Sequence, residues 1–170
     1  MTKILLVRHG ETEDNVAQMM QGQTHGRLTA NGIAQAQQLA RRLARRKVDV
    51  FLSSDLQRSI DTCRILAEPY CKEIETTPLL RERDWGSFTG QHIPDIPLND
   101  PWPDDIESLD ALKQRAADFL SFVKKHYEGK TVVAVGHGII NKAIQAVHFG
   151  KVMRDVPKMT NAEVRELILY

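Results

Sequence analysis

Apolar residues along this chain fall into two periodicities that alternate from one end to the other. Ile4 to Val7 is a short continuous apolar run of strand-forming residues, the pattern of a strand buried on both faces. Thr29 then has the character of a helix N-cap. Ile33, Ala36, Leu39, Ala40 and Leu43 come next at helical spacing with arginines on the opposite side. Val48 to Leu52 predicts a second strand. Asp55 is placed to cap a helix running to about Tyr70 and ended near Pro69, and Ile74 to Thr77 reads as a weaker strand. Periodicity disappears between Trp85 and Trp102, where Pro94, Pro97, Pro101 and Pro103 cluster in and just beyond the stretch. A loop or lid over about 85–105 is expected there. Leu109, Leu112, Ala116, Phe119, Leu120 and Val123 then mark an amphipathic helix. Thr131 to Val135 is a third clear strand, Ile139 to Phe149 a helix, and Val164 to Leu169 a final edge strand. Strands alternating with helices predict an α/β fold: a three-layer sandwich whose mostly parallel central sheet has helices on both faces. No repeat or linker divides residues 1–170, so a single domain is expected.

Composition narrows the class. The 170 residues are 42% hydrophobic and 26% charged, enough to bury a core without disulfides or metals. A formal net charge of +1 gives no global field for nucleic acid, so any anion site must be built locally. The basic run Arg41, Arg42, Arg45, Arg46 and Lys47 has no interleaved aromatics and suits a solvated helix end. No apolar run is long enough to span a membrane, and Lys3 to Val7 is too short for a secretory signal. Cys63 and Cys71, if both helical, stand roughly 12 Å apart, too far for a disulfide. Buried or half-buried thiols in a cytoplasmic protein are the expectation.

The residues with chemical capacity collect at the carboxyl ends of the strong strands. The first strand ends in Arg8-His9-Gly10. The second ends in Ser53-Ser54-Asp55, with Arg58 one helical turn on. The third ends in Gly136-His137-Gly138. In open α/β sheets ligands bind beyond the carboxyl ends of the strands. Arg8, His9, Arg58 and His137 could therefore converge on one anion, for which phosphate is the natural occupant. A helix opening at Gly138 adds backbone donors. A neutral imidazole can attack phosphorus, and a second, protonated one can stabilise the equatorial oxygens. Gly10 would let the chain turn beside His9. Glu82, in Leu80-Arg81-Glu82-Arg83-Asp84-Trp85-Gly86, is the candidate proton donor, its pKa raised by an apolar wall.

Arg8-His9-Gly10-Glu11-Thr12 after a first strand resembles the signature of the histidine phosphatase superfamily, the phosphoglycerate mutase-like proteins. The other blocks occur in order: Asn15 and Gln21-Gly22; Leu28-Thr29, Gly32 and Gln35-Ala36; Ser53 through Thr62; Leu80 through Gly90; Glu107-Ser108; and Gly136-His137-Gly138. The resemblance covers essentially the whole chain. It implies a phosphoglycerate mutase-like fold, a phosphohistidine on His9, Glu82 as proton donor, and a phosphate held by Arg8, Arg58 and His137. Asn15, Gln21 and Gly22 would line the pocket, with Arg83 and Trp85 as substrate contacts. No metal or cofactor is implied.

The phosphoryl group then has two fates: return to a phosphoglycerate, as in the family's mutases, or transfer to water. Residues 84 to 112 contain no Lys or Arg but do contain Asp95, Asp100, Asp104, Asp105 and Glu107. Such a lid would repel a second anionic group, and a short lid seals water out poorly. Both favour hydrolysis of a small sugar phosphate or of a broad range of monoesters. The expected partner is thus a phosphorylated small molecule, with neither nucleic acid nor membrane, and with the chain as monomer or homodimer. Other readings stand beside this one. Arg58 could pair with Asp55 or Asp61, and Glu82 could belong to a surface salt-bridge patch with Arg81 and Arg83. His9, His137 and Glu82 could ligate zinc, although Arg8 and Arg58 would repel the cation. A non-catalytic phospholigand-binding module is a third possibility.

Overall fold

The computed structural model describes every residue except Leu98 and Asp100. Among the described residues, five strands and five α-helices run in the order β1 (Thr2–Arg8), α1 (Glu13–Val16), α2 (Ala30–Leu43), β2 (Val50–Ser53), α3 (Gln57–Ala67), β3 (Ile74–Thr76), α4 (Leu109–His126), β4 (Thr131–Gly136), α5 (Gly138–Phe149) and β5 (Val164–Leu169). The sheet order is β3-β2-β4-β1-β5. All pairings are parallel except that of the edge strand β5 with β1.

Alternation within the buried strands sorts side chains into two cores. Ile4 and Leu6 of β1, with Val132 and Ala134 of β4, pack against α4 and α5 through Leu112, Phe119, Ile140 and Ile144. Leu5, Val7, Val133 and Val135 point the other way, onto α2 and α3 through Leu39, Leu43, Cys63 and Leu66. These strands have no polar face because both of their faces are covered. The three-layer α/β sandwich expected from the pattern is the observed architecture.

Local signals explain most boundaries. The Thr29 hydroxyl accepts the Gly32 N–H at 2.9 Å, and the Ser108 hydroxyl accepts that of Ala111 at 3.0 Å; each such cap is worth about 1 kcal/mol. Four expectations change. Asp55 does not cap α3, since Leu56 occupies that position without a side-chain bond. Asp55 instead receives both Nε and Nη2 of Arg81, at 2.8 and 2.6 Å. α3 stops at Ala67, and Pro69 sits in a short 3-10 turn over Glu68–Tyr70. Ile33 lies outside the apolar face of α2, 40% exposed. Cys63 is buried but Cys71, in a left-handed turn at φ 51°, is exposed; both are free thiols. Short helix α1 has no hydrophobic stripe to announce it. It is nucleated by a reciprocal cap between Thr12 and Asn15.

The loop after β1 is clamped to the start of α2. A Cβ on Gly32 would stand 2.0 Å from the Glu11 carbonyl oxygen, and one on Gly10 would stand 2.5 Å from that of Gly32. Gly10 is therefore required for close backbone approach rather than for the sharp turn expected. Two further bonds tighten the clamp: Glu11 N–H to Gln35 Oε1 at 2.9 Å and Thr29 N–H to the Glu11 carbonyl at 3.0 Å. Gly32→Ala should destabilise the fold by about 1–3 kcal/mol through overpacking, a fall in Tm of roughly 3–10 °C. A thermal melt within about 1 °C of wild type would show that the loop can retreat at little cost.

Candidate active site

Sheet register brings the two histidines together. Arg8 pairs with Gly136, so the next residue on each strand, His9 and His137, emerges at the same level. His9 N–H donates to the Gly136 carbonyl at 3.2 Å, and Ser54 N–H to that of Val135 at 3.0 Å. The imidazole centroids lie 5.1 Å apart. Arg8, His9, Asn15, Gln21, Gly22, Arg58, Glu82, Trp85 and Gly138 all line one cavity of about 210 Å³. His137 is fully buried beside it.

His9 is held as a neutral nucleophile would be. Burial first, then the Arg58 and Arg8 charges, push its pKa down to about 3. Its Nδ1 lies 2.7 Å from the Gly10 carbonyl, which can only accept, so Nδ1 carries the hydrogen and the Nε2 lone pair is left free. Gly10 N–H is in turn anchored to the Thr62 hydroxyl at 3.1 Å, and that hydroxyl donates to the Arg58 carbonyl at 2.8 Å.

His137 differs from the protonated group expected. Burial, with Arg58, His9 and Arg8 nearby, holds its pKa well below the ordinary imidazole value. Its Nε2 meets the hydroxyls of Ser54 at 2.7 Å and Ser59 at 3.1 Å. Ser54 accepts Leu56 N–H and has its own proton to give to Nε2, the arrangement that carries the ring hydrogen on Nδ1. Nδ1 is buried without a partner, as are Arg8 Nε and Arg58 Nε. Arg8 and Arg58 line the cavity and His137 packs against His9 beside it; buried donors left unpaired are costly unless a ligand satisfies them, and an oxyanion is the ligand that could.

The rest of the Arg58 fork is already engaged, and Arg8 is held through one of its two Nη groups. Arg58 Nη2 donates to the Gly22 carbonyl at 2.8 Å and Nη1 to those of Thr24 and His25, so Arg58 ties down the phosphate-loop candidates. Burial lowers its pKa to about 10, still charged at neutral pH. It pairs with neither Asp55 nor Asp61: Asp55 binds Arg81, and Asp61 accepts Gln57. Arg8 Nη1 donates to the Met159 carbonyl at 2.6 Å. Asn15 Oδ1 accepts from Thr12 N–H and Asn161 Nδ2, and Gln21 Oε1 accepts the Thr12 hydroxyl. Gly138 opens α5 against the Arg8 guanidinium.

Glu82 is held by backbone donors rather than an apolar wall. Oε1 accepts Ile140 and Arg83 N–H, both at 2.9 Å, and Oε2 accepts Ile139 N–H at 3.0 Å, at the N-terminus of α5. No surface salt-bridge patch forms, since neither Arg81 nor Arg83 pairs with it. Arg83 is turned away from the cavity, with Nε on the Glu107 carbonyl at 2.8 Å and its guanidinium over the Trp85 and Trp102 rings. Trp85 itself does line the cavity.

Sequence reasoning missed Ser54, Ser59 and Thr62 as orienting groups, although Ser54 sits at a strand end where such a role could be sought. It also missed Arg115, whose guanidinium grips Glu107 at 2.8 Å and the carbonyls of Leu79 and Arg81 at 3.1 and 2.6 Å, bracing the Glu82 segment. Among the described residues, Asp95, Asp104, Asp105 and Glu107 of the expected acidic lid do not line the cavity. Asp105 binds Ser87, Glu107 binds Arg115, and Asp95 binds His92. Asp100 lies outside the described residues. Lys158, unremarked in the sequence, lines the cavity from the C-terminal side. Among the described residues no cluster of three or more His, Cys, Asp or Glu could hold a metal, and no helix is long and apolar enough to cross a membrane.

The family model of the histidine phosphatase superfamily, branch 1, matches residues 4–170. The chain belongs to that superfamily. A metal-independent phosphoserine phosphatase from Arabidopsis thaliana is 36% identical, over 89% of this chain and 73% of that protein. A probable phosphoglycerate mutase from Serratia proteamaculans is 34% identical, over 82% of this chain and 71% of its own length. Among solved structures, a phosphoserine phosphatase mutant from Entamoeba histolytica in complex with phosphoserine superposes with a TM-score of 0.88 at 27% identity, covering 99% of this chain and 91% of that one. This histidine phosphatase is an enzyme that hydrolyses phosphomonoesters.

The two buried imidazoles tie folding to pH. Between pH 6.5 and about 3 an unfolded chain protonates His9 while the folded chain does not, so stability falls as pH falls through that window. Above pH 6.5 both states are neutral there and the dependence vanishes. Thermal melts from pH 7 to pH 4 should show a loss on the order of 1 kcal/mol per pH unit from His9, with His137 acting in the same direction, and a smaller loss in His9→Asn. Melts of His9→Asn with the wild-type pH slope would contradict the neutral, buried state of His9.

Proposed function

We propose that this phosphatase hydrolyses phosphorylated small molecules by double displacement at His9. The observation that carries the reading is the free Nε2 lone pair of a neutral, oriented imidazole, set beside three buried donors that lack partners. Nε2 attacks the substrate phosphorus as the P–O ester bond breaks, forming phosphohistidine and releasing an alkoxide. Glu82, at the cavity wall, passes a proton to that alkoxide. Water then attacks the phosphohistidine, Glu82 recovers a proton from it, and the N–P bond breaks to release phosphate. Arg8, Arg58 and the Nδ1–H of His137 hold the phosphoryl oxygens throughout, together with the α5 N-terminus at Gly138. Asn15, Gln21 and Gly22 shape the pocket, and Trp85 meets the leaving group. The first half-reaction leaves His9 phosphorylated and Glu82 without its proton; the second restores both, and neither draws on a metal or cofactor. The free thiols of Cys63 and Cys71 support a cytoplasmic setting.

His9→Ala should lose at least about a thousandfold in kcat/KM, because no other nucleophile replaces the imidazole. Glu82→Gln should slow alkyl phosphates by about a hundredfold and p-nitrophenyl phosphate far less, since an activated phenolate leaves without a proton. Equal slowing of both substrates would remove Glu82 from the proton-transfer role. Acid-labile radiolabel on a residue other than His9 during turnover would overturn the mechanism.

A further inference from the structure

Three consecutive carbonyls, those of Pro157, Lys158 and Met159, are each gripped by a guanidinium. Arg165 takes the first two, with Nη1 on Pro157 at 2.7 Å and Nη2 on Lys158 at 3.3 Å, and Arg8 takes the third through Nη1 at 2.6 Å. The strap that bears them, residues 156–163, leads into β5 and contains no helix or strand. Val156, Met159 and Ala162 are buried, but Pro157, Lys158 and Thr160 are exposed. Apolar packing therefore leaves the middle of the strap without support, and Arg165 supplies it.

Arg165 is itself held on every side. From β5 its Nε donates to Glu163 Oε2 at 2.6 Å, and its Nη1 also reaches Oε1 of buried Gln145, on α5, at 3.0 Å. A planar fork can serve acceptors from α5, the strap and the turn before β5 at once, which the single ammonium of a lysine cannot. The effect carries to the cavity through the second guanidinium. Arg8 is the last residue of β1, and the Met159 carbonyl holds its Nη1. With the stem and one corner of a rigid plane fixed, the direction of the unpaired Nε is fixed as well.

Glu163 adds an electrostatic side to this clamp. Burial draws the Arg8 pKa down while the charges of Glu82 and Glu163 draw it up, so Glu163 stands within electrostatic reach of Arg8. Its carboxylate is occupied elsewhere: Oε2 accepts Arg165 Nε, and Oε1 accepts Thr160 N–H at 2.9 Å. Released, that carboxylate would compete with a phosphoryl oxygen for the same guanidinium.

We propose that Arg165 is a positioning residue for phosphate capture: it fixes the strap so that the Met159 carbonyl aims Arg8 into the cavity, and it keeps Glu163 off Arg8. This rests on the reading that places Arg8 on the phosphoryl oxygens and adds the group that holds Arg8 there.

The competitive inhibition constant of orthophosphate against p-nitrophenyl phosphate tests the proposal, because it does not depend on how much of the enzyme is folded. Arg165→Lys should raise it about fivefold and Arg165→Gln about tenfold, since glutamine also frees Glu163. In an Arg8→Ala background the same substitutions should change it by less than about twofold, because the group they misplace is gone. An unchanged constant in both Arg165 variants, or an equal loss with and without Arg8, would overturn the assignment whatever the fall in Tm. If neither Arg165 variant folds, Gln145→Met decides, since it removes one acceptor and keeps the side-chain volume. A rise of about twofold that disappears in Arg8→Ala supports the assignment, and wild-type inhibition overturns it. Arg8→Ala alone should raise the constant at least about tenfold. Wild-type inhibition of that variant would instead remove Arg8 from the phosphate site, a failure of the underlying reading rather than of the clamp.

Discussion

Parallel pairing of β1 with β4, in the register that sets Arg8 opposite Gly136, is the constraint on which the site depends. One residue beyond each strand end, the ladder delivers His9 and His137 side by side, and the neighbouring β2 delivers Ser54 and, through α3, Arg58. A one-residue slip would turn either histidine to the opposite face of the sheet and exchange the side chains serving the two cores. The apolar alternation that fills those cores therefore also fixes where the chemistry sits.

The same placement determines charge. Two imidazoles desolvated beside two guanidiniums stay neutral, and each is oriented by a partner that leaves one useful nitrogen free. Arg8 and Arg58 hold positive charge where, among the described residues, no carboxylate forms an ion pair with them. Both Nη groups of Arg58 and Nη1 of Arg8 are taken by carbonyls, and each residue keeps a buried Nε unpaired for a ligand. Burial of polar donors that the protein does not satisfy is unfavourable for the empty fold, and an oxyanion reverses that cost. Stability and function are in this sense opposed at the cavity, which helps explain the strength of the surrounding scaffold: the Gly10–Gly32 contact, the Thr62 anchor and the Arg115 brace.

Arg115 shows how far the support extends. It lies on α4, on the face of the sheet opposite α3, yet it grips the chain immediately before Glu82 through the carbonyls of Leu79 and Arg81. Glu82 is then captured by the first N–H groups of α5. A carboxylate on a loop thereby acquires the fixity of two helices, which a group that must meet a leaving oxygen needs.

Much was legible in the chain itself, because hydrophobic period and strand-end position are local properties. The three-layer architecture came from alternating periodicities, and Arg8, His9, Arg58 and His137 were identifiable as residues ending buried strands or lying one turn beyond them. Non-local relations were not legible. Which atoms of a guanidinium remain free depends on carbonyls from distant segments, as with Arg8 and Met159. Whether His137 is charged depends on its desolvation and on Ser54 and Ser59, and Arg83 left the cavity because two tryptophans and a carbonyl offered it a better place. Lys158 and His9 line one cavity from positions 149 apart and share no pattern. The sequence by itself settled the layers, the strands and the reactive residue types; only tertiary packing decided protonation, hydrogen-bond direction and which side chains line the cavity, since each is set by groups that meet solely when the chain is folded.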